Sequence, residues 1–382
     1  MTAPIVIIGS GFAAYQLVKT VRRMDPTIPI QIFTADDGAE YNKPDLSHVF
    51  SKQQTATDLV IKSGEAFADE HKITLHANTL IERVEAQTNQ VVANGRYYPY
   101  SKLVFATGAK AFVPPMHGNA VAEVLTLNSR IEYQSAENQL SLAKRVLVIG
   151  GGLIGVEIAM DLANSGKSVT VVEPNTHLMA NLIPEFVAVP LENQLQQQGV
   201  HLATSNSVQA VNRINQTLVV TLNDGCEYHV DAVISAAGLR SNTKLAASAG
   251  IDVGKGIAVD QCLKTSVKDV FALGDCAEIQ GRMMPYLQPI VLSANVLAKQ
   301  LLGQDAQLVL PPMMIKVKTP TYPIQLSGGF EPTSSWQVHM TPSGMVAKAE
   351  NLCKQFTGFV VTGDQVRQAF PLLRELSQSA TN

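Results

Sequence analysis

Two stretches of the chain, about 140 residues apart, carry one pattern of apolar and polar positions. Ile5-Val6-Ile7-Ile8 and Val146-Leu147-Val148-Ile149 are unbroken apolar runs rich in β-branched residues. They lack the alternation of a half-solvated strand and read as strands buried on both faces of a parallel sheet. Each runs into a glycine cluster, Gly9-Ser10-Gly11 and Gly150-Gly151-Gly152, and then into a helical stretch. A second apolar run follows each helix, Ile28 to Phe33 and Ser168 to Val172, with an acidic residue close behind. Strand, glycine turn, helix, strand and acid form the repeating unit of a doubly wound α/β sheet.

A further pair of strands is expected where each sheet closes. Leu103-Val104-Phe105-Ala106-Thr107-Gly108 and Ala232-Val233-Ile234-Ser235-Ala236-Ala237-Gly238 both run into small-residue turns. From about residue 310 the pattern changes to alternation, with strands expected over Met313 to Lys318 and Trp336 to Met340. The turn Thr341-Pro342-Ser343-Gly344 separates such strands, and an amphipathic helix is expected over roughly Gln365 to Glu375.

Composition narrows the function classes. The net charge of −3 lacks the basic excess of a general nucleic-acid binder. With 46% hydrophobic and 16% charged residues the chain has enough apolar material for real cores and is not a mainly disordered one. No apolar run reaches the roughly 18–20 residues of a membrane-spanning helix. Cys226, Cys262, Cys276 and Cys353 are scattered, with neither a CxxC pair nor a zinc spacing, and the histidines show no metal-ligand grouping. The chain opens directly on a strand pattern without a charged-then-apolar leader, so a cytoplasmic protein without a metal is expected.

The glycine turns carry the candidate chemistry. A dinucleotide's pyrophosphate binds where backbone N–H groups and a helix N-terminus converge, which requires a turn without side-chain bulk. In the first copy Gly9 makes the turn, Gly11 admits the pyrophosphate, and Ala14 permits close packing of helix on strand, with Phe12 and Ala13 between them. Gly150, Gly152 and Gly155 take those roles in the second, flanking Leu153 and Ile154. Glu173, closing the second strand, is placed to accept hydrogen bonds from an adenosine ribose and to repel a 2′-phosphate, which favours NADH over NADPH. In the first copy Asp36 or Asp37 is the acid, slightly late in register, and Asp36 is preferred.

The paired fingerprints, Ala106-Thr107-Gly108, and the run Thr265-Ser266-Val267-Lys268-Asp269-Val270-Phe271-Ala272-Leu273-Gly274-Asp275 resemble the two-dinucleotide-binding flavoprotein reductases. The resemblance implies FAD at the first fingerprint and NADH at the second, with Ala237 and Gly238 at the second strand end and Gly274 and Asp275 at the FAD ribityl region. The implied fold is α/β, with two interleaved Rossmann-like dinucleotide-binding domains for FAD and NADH and a small antiparallel α+β C-terminal domain. The expected boundaries are 1–112 with 236–308 for FAD, 113–235 for NADH, and 309–382 for the C-terminal domain.

Cysteine positions separate the branches of this family. Glu40-Tyr41-Asn42-Lys43-Pro44-Asp45-Leu46-Ser47-His48 has no cysteine, and none of the four stands at a redox position of the disulfide reductases or oxidases. The flavin is therefore expected to hand electrons out directly, with Cys276 a buried filler. Tyr41 to Ser47 is similar to the rubredoxin reductase branch, in which the lysine, here Lys43, sits at the flavin. His48 departs from the ferredoxin reductases of oxygenases, which carry a lysine after Leu-Ser. Lys318 matches a second lysine expected near the isoalloxazine. Glu157 corresponds to a glutamate between nicotinamide and a flavin-side lysine, so it is expected to pair with Lys43. Lys43, Glu157 and Lys318 are thus the candidate catalytic residues, acting by position and charge.

Over nearly its whole length the chain resembles bacterial reductases that deliver electrons from NADH to the rubredoxin centre of flavorubredoxin, a flavodiiron nitric oxide reductase. The stretches that carry this include Ile5 to Lys19, Glu40 to His48, Arg145 to Asp161 and Leu287 to Leu301. A free rubredoxin serving an alkane hydroxylase is the rival acceptor, and a slow NADH-binding redox sensor is the rival of a different class. Because rubredoxins are acidic, a local basic patch near the flavin edge is expected.

Overall fold

The computed structural model describes residues 3–317, 319, 322–331 and 333–379. Ile5–Ile8 is buried along its whole length and forms the middle of a five-stranded parallel sheet. The order is Val270–Ala272, Lys102–Phe105, Ile5–Ile8, Ile30–Phe33, Thr74–His76. The helix Phe12–Met24 buries Ala13, Ala14, Leu17, Val18 and Val21, an apolar stripe at helical spacing. It packs beside the helix Leu287–Leu301, so residues from both ends of the 3–308 stretch build one core.

A second parallel sheet runs Val200–Thr204, Ser168–Glu173, Arg145–Ile149, Ala232–Ser235. Short antiparallel strands, Ala109–Ala111 and Leu239–Ser241, pair where the chain passes from the first sheet to the second and back.

The internal repeat is longer than the sequence pattern suggests. Each parallel sheet carries its own three-stranded antiparallel meander, Arg83–Glu85, Gln90–Ala93, Arg96–Pro99 in the first and Val208–Ile214, Thr217–Leu222, Glu227–Val230 in the second. The first meander turns on Asn94-Gly95, both with positive φ, the two-residue geometry whose twist matches paired strands.

The C-terminal sheet is antiparallel, ordered Ile315–Val317, Ile324–Gly328, Phe356–Gly363, Gly344–Glu350, Ser335–Thr341. Its two faces do different things, because neighbouring residues of a strand point to opposite sides. Phe359 and Val361 pack under Leu372 and Leu376 of the helix Ala369–Ser379. Val360, Leu326 and Met345 instead join the apolar core around the second parallel sheet. The closing helix begins later than the alternation predicts, after a short 3-10 turn over Asp364–Gln368. The expected strand Met313 to Lys318 is observed as Ile315–Val317, and Lys318 lies outside the described residues.

Candidate functional site

The two glycine turns are built alike. Gly9 N donates to Phe33 O and Gly150 N to Val172 O, both at 2.8 Å. Ala106 N donates to Ile8 O at 2.9 Å and Ala236 N to Ile149 O at 2.8 Å, closing each turn on its far side. Gly9 has φ +113° and Gly150 φ +104°. A Cβ on Gly9 would stand 2.3 Å from Ala106 O, and one on Gly150 would stand 2.7 Å from Ala236 O. Glycine is required at both positions by conformation and by space.

Gly11 and Gly152 are glycine for another reason. Each is the N-cap of its helix, Phe12–Met24 and Leu153–Asn164, and neither helix start has a side-chain cap. A Cβ on either would meet nothing within 4 Å. The protein leaves a cradle at each helix N-terminus, where uncapped N–H groups and the positive end of the helix dipole favour an anion. Behind the cradles, Ala14 is fully buried, and a Cβ on Gly155 would stand 1.9 Å from Gly150 O. Both arrangements fit the pyrophosphate of a dinucleotide.

The acids approach the turns from different registers. Glu173 is only 6% exposed. Its Oε2 accepts from Gly151 N at 2.6 Å, and its Oε1 accepts from Asn175 N at 2.9 Å and Asn175 Nδ2 at 2.6 Å. Since Ile8 pairs with Phe33 as Ile149 pairs with Val172, Thr34 holds the position equivalent to Glu173. Asp36 reaches back from two residues later. Its Oδ1 accepts from Ser10 Oγ at 2.9 Å, Thr34 Oγ1 at 2.6 Å and Gly38 N at 3.0 Å. Asp37 turns away to an ion pair with Arg130. Of the two acids, Asp36 is the one at the glycine turn.

Other predicted residues gather around the first cradle. Gly274 has φ +80°, and a Cβ on it would lie 2.7 Å from Ala13 Cβ, so the strand end before Asp275 abuts the helix start. Lys43 Nζ lies 3.5 Å from Asp275 Oδ2. A cleft lined by Gly11, Phe12, Tyr41 and Lys43 opens beside them. Lys19 and Glu40 line the same cleft as an ion pair that no sequence motif announced. Thr107 and Gly108 are tied to the returning chain, for Asn242 Nδ2 donates to Thr107 O at 2.8 Å and Asn242 N to Gly108 O at 3.0 Å. Gly108 and Gly238 both have positive φ with open space where a Cβ would be. Ala237 packs on the second sheet, Leu153 packs inward, and Ile154 is exposed at its helix start.

The expected pairing of Lys43 with Glu157 is not what the structure forms. Lys43 heads the 3-10 segment Lys43–His48 and turns to Asp275. Glu157, 8% exposed, accepts instead from Ser47 Oγ at 2.8 Å, four residues further along that segment. Lys318 lies outside the described residues. Cys276 points into the core, where burial pushes its thiol up and Sγ contacts Leu273 O at 3.3 Å, which suits a filler. All four cysteines are unpaired. Among the described residues no group of three His, Cys, Asp or Glu side chains could hold a metal ion.

Residues 3–290 match the family model described as pyridine nucleotide-disulphide oxidoreductase, and residues 307–376 match one described as a rubredoxin binding C-terminal domain. The chain is 68% identical over 380 residues to the "nitric oxide reductase FlRd-NAD(+) reductase" of Vibrio vulnificus strain CMCP6, with 100% of each chain covered. It is 53% identical over 378 residues to the protein of that name from Aliivibrio fischeri strain ATCC 700601 / ES114, with 99% of each covered. Among solved structures, the covalent putidaredoxin reductase–putidaredoxin complex has a TM-score of 0.89 over 99% of this chain and 93% of that one. At 22% identity that likeness speaks for the fold. With two uncapped helix starts, an acid at each, and a full-length match in sequence, the chain belongs to the pyridine nucleotide-disulphide oxidoreductase family.

Proposed function

We propose that this chain is an NADH-dependent FAD reductase that passes electrons singly to the rubredoxin centre of flavorubredoxin, in support of anaerobic nitric oxide reduction. The observation that carries the reading is the doubled cradle at Gly11 and Gly152 in a chain whose residues 307–376 match a rubredoxin binding domain. Bound flavin accepts two electrons together as hydride and releases them one at a time, which is what a nicotinamide donor and a one-electron iron acceptor require.

In this reading residues 1–112 with 236–308 hold FAD, 113–235 hold NADH, and 309–382 dock the acceptor. Gly9, Gly11, Phe12, Ala13 and Ala14 surround the FAD pyrophosphate, and Asp36 holds its adenosine ribose. Ala106, Thr107, Gly108, Gly274 and Asp275 line the rest of that site. Gly150, Gly152, Leu153, Ile154 and Gly155, with Ala237 and Gly238, receive NADH. Glu173 already gathers N–H donors and would accept the ribose hydroxyls. Its negative charge disfavours a 2′-phosphate. Lys43 and Lys318 bring positive charge to the flavin side, and Glu157 orders the segment behind Lys43 through Ser47. No side chain needs to move a proton for hydride transfer. A cytoplasmic location belongs to the same reading. Among the described residues no helix is long and apolar enough to cross a membrane.

The test is anaerobic stopped-flow with NADH, followed by mixing with rubredoxin or with oxygen. Fast bleaching of the flavin, fast reoxidation by rubredoxin and slow reaction with oxygen are expected. Rubredoxin turnover should fall steeply with ionic strength while bleaching barely changes. Faster reoxidation by oxygen would overturn the acceptor, and equal salt dependence of both steps would overturn electrostatic docking.

A further inference from the structure

Asp161 is a carboxylate that hydride transfer does not use, yet it is only 3% exposed. It lies on the helix Leu153–Asn164, one turn beyond Glu157, and both side chains meet the chain segment that follows Lys43. Phe50 N donates to Asp161 Oδ2 at 2.7 Å. Ser51 Oγ donates to Oδ1, and Ser51 N lies 3.4 Å from both oxygens. Around these bonds Leu46, Val49 and Phe50 are buried in one apolar cluster with Val156 and Met160 of the same helix.

The segment 43–51 is therefore a strap between the two sites. At one end Lys43 meets Asp275 beside the first cradle. At the other, Ser47, Phe50 and Ser51 are fastened to the helix whose N-terminus forms the second cradle. Otherwise the chain passes between the sheets through the short paired strands Ala109–Ala111 and Leu239–Ser241. Further contacts join the two regions: Arg130 pairs with Asp37, Ala56 N donates to Glu137 Oε2 at 2.9 Å, and Tyr133 donates to Gln54 O at 2.7 Å. The strap differs from these in being fastened directly to the helix of the second cradle. A buried carboxylate accepting several donors is a strong and directional fastening, since its loss leaves the buried Phe50 N–H unpaired.

We propose that Asp161 is a positioning residue for hydride transfer: by capping residues 50 and 51 it sets the alignment of the NADH cradle against Lys43 and the FAD cradle. The inference rests on the NADH-to-FAD reading above. A misplacement of about 1 Å between reacting groups costs about a hundredfold in rate. Loss of the fastening should therefore slow hydride transfer without weakening NADH binding, because the Gly152 cradle and Glu173 are untouched.

The experiment compares FAD-loaded wild type, Asp161→Ala, Asp161→Asn and Ser51→Ala by anaerobic stopped-flow with NADH, well below each protein's Tm. The saturating flavin-reduction rate is expected to fall about ten- to a hundredfold in Asp161→Ala. Asp161→Asn, which keeps one oxygen for Phe50 N, should restore part of it, and Ser51→Ala should fall least. The apparent Kd for NADH should stay within about twofold, and the long-wavelength charge-transfer absorbance of the reduced complex should weaken in the same order. A merely structural role would lower Tm and move neither the saturating rate nor the absorbance, and that result overturns the proposal. If Asp161→Ala does not retain FAD, Asp161→Asn and Ser51→Ala decide by the same criterion. A wild type that NADH does not bleach would instead overturn the function on which the inference stands.

Discussion

The two glycine turns share a backbone and differ in how the acid arrives. At the second, the carboxylate of Glu173 is the last residue of its strand and bonds directly to Gly151 N. At the first, Thr34 holds that register position, and the charge comes from Asp36 through the hydroxyls of Ser10 and Thr34. The same demand, a negative group beside a helix N-terminus, is met by a strand in one case and by a loop in the other. What is constant is the position in space relative to the cradle, and sequence spacing follows it only loosely.

The comparison breaks most completely behind the turns. Gly155→Ala places a methyl where Gly150 O stands, and Gly9→Ala places one against Ala106 O at φ +113°. Each should cost roughly 2–5 kcal/mol, enough to undo its own turn. Gly9→Ala is expected to lose FAD, read as the flavin absorbance of purified protein, while Gly155→Ala keeps FAD and loses reduction by NADH. Loss of FAD in Gly155→Ala as well would mean that the two turns fold as one unit.

A cleaner separation of packing from binding comes from Gly152→Ala, whose methyl meets no protein atom. Its stability should change by less than about 1 kcal/mol, since only the N-cap preference is involved. Its NADH affinity should fall about a hundredfold, as the methyl occupies the cradle. Glu173→Gln is smaller again. Loss of charge-assisted hydrogen bonds should weaken NADH about tenfold and narrow the gap against NADPH. An unchanged nicotinamide preference would show that specificity is set elsewhere.

The smallest effect lies at the opposite end of the second sheet. Arg145 holds the Asp231 carboxyl down at about 2, helped by the Lys144 and Arg145 N–H groups. A depressed carboxylate contributes stability above its unfolded value of 3.8, and that contribution is lost as pH falls toward 2. With solvent screening of this partly exposed pair, about 1 kcal/mol or less is expected. Urea unfolding should show Asp231→Asn less stable than wild type at pH 6, with the difference fading between pH 4 and pH 2.

Legibility tracked chain distance. Glu173 could be read because it adjoins the strand that positions it, whereas Asp36 needed the structure to separate it from Asp37 and its Arg130 partner. The first meander was readable in principle from Asn94-Gly95, but its strands are three or four residues long and too short for periodicity to declare. The pairing expected for Lys43 failed because a lysine and two carboxylates on three separate elements leave their choice to packing.

The amino-acid sequence by itself determined the doubled strand–glycine–helix unit, the acid Glu173 of its second copy, and the antiparallel C-terminal domain, because these rest on local sterics and on periodicities of a few residues. The tertiary structure alone decided that Lys43 meets Asp275, that Glu157 takes Ser47, and that Asp161 fastens Ser51 across 110 positions of chain. Those contacts depend on how two domains and a strap are packed together. No pattern along the chain encodes a hydrogen bond whose partners are set by the burial of everything between them.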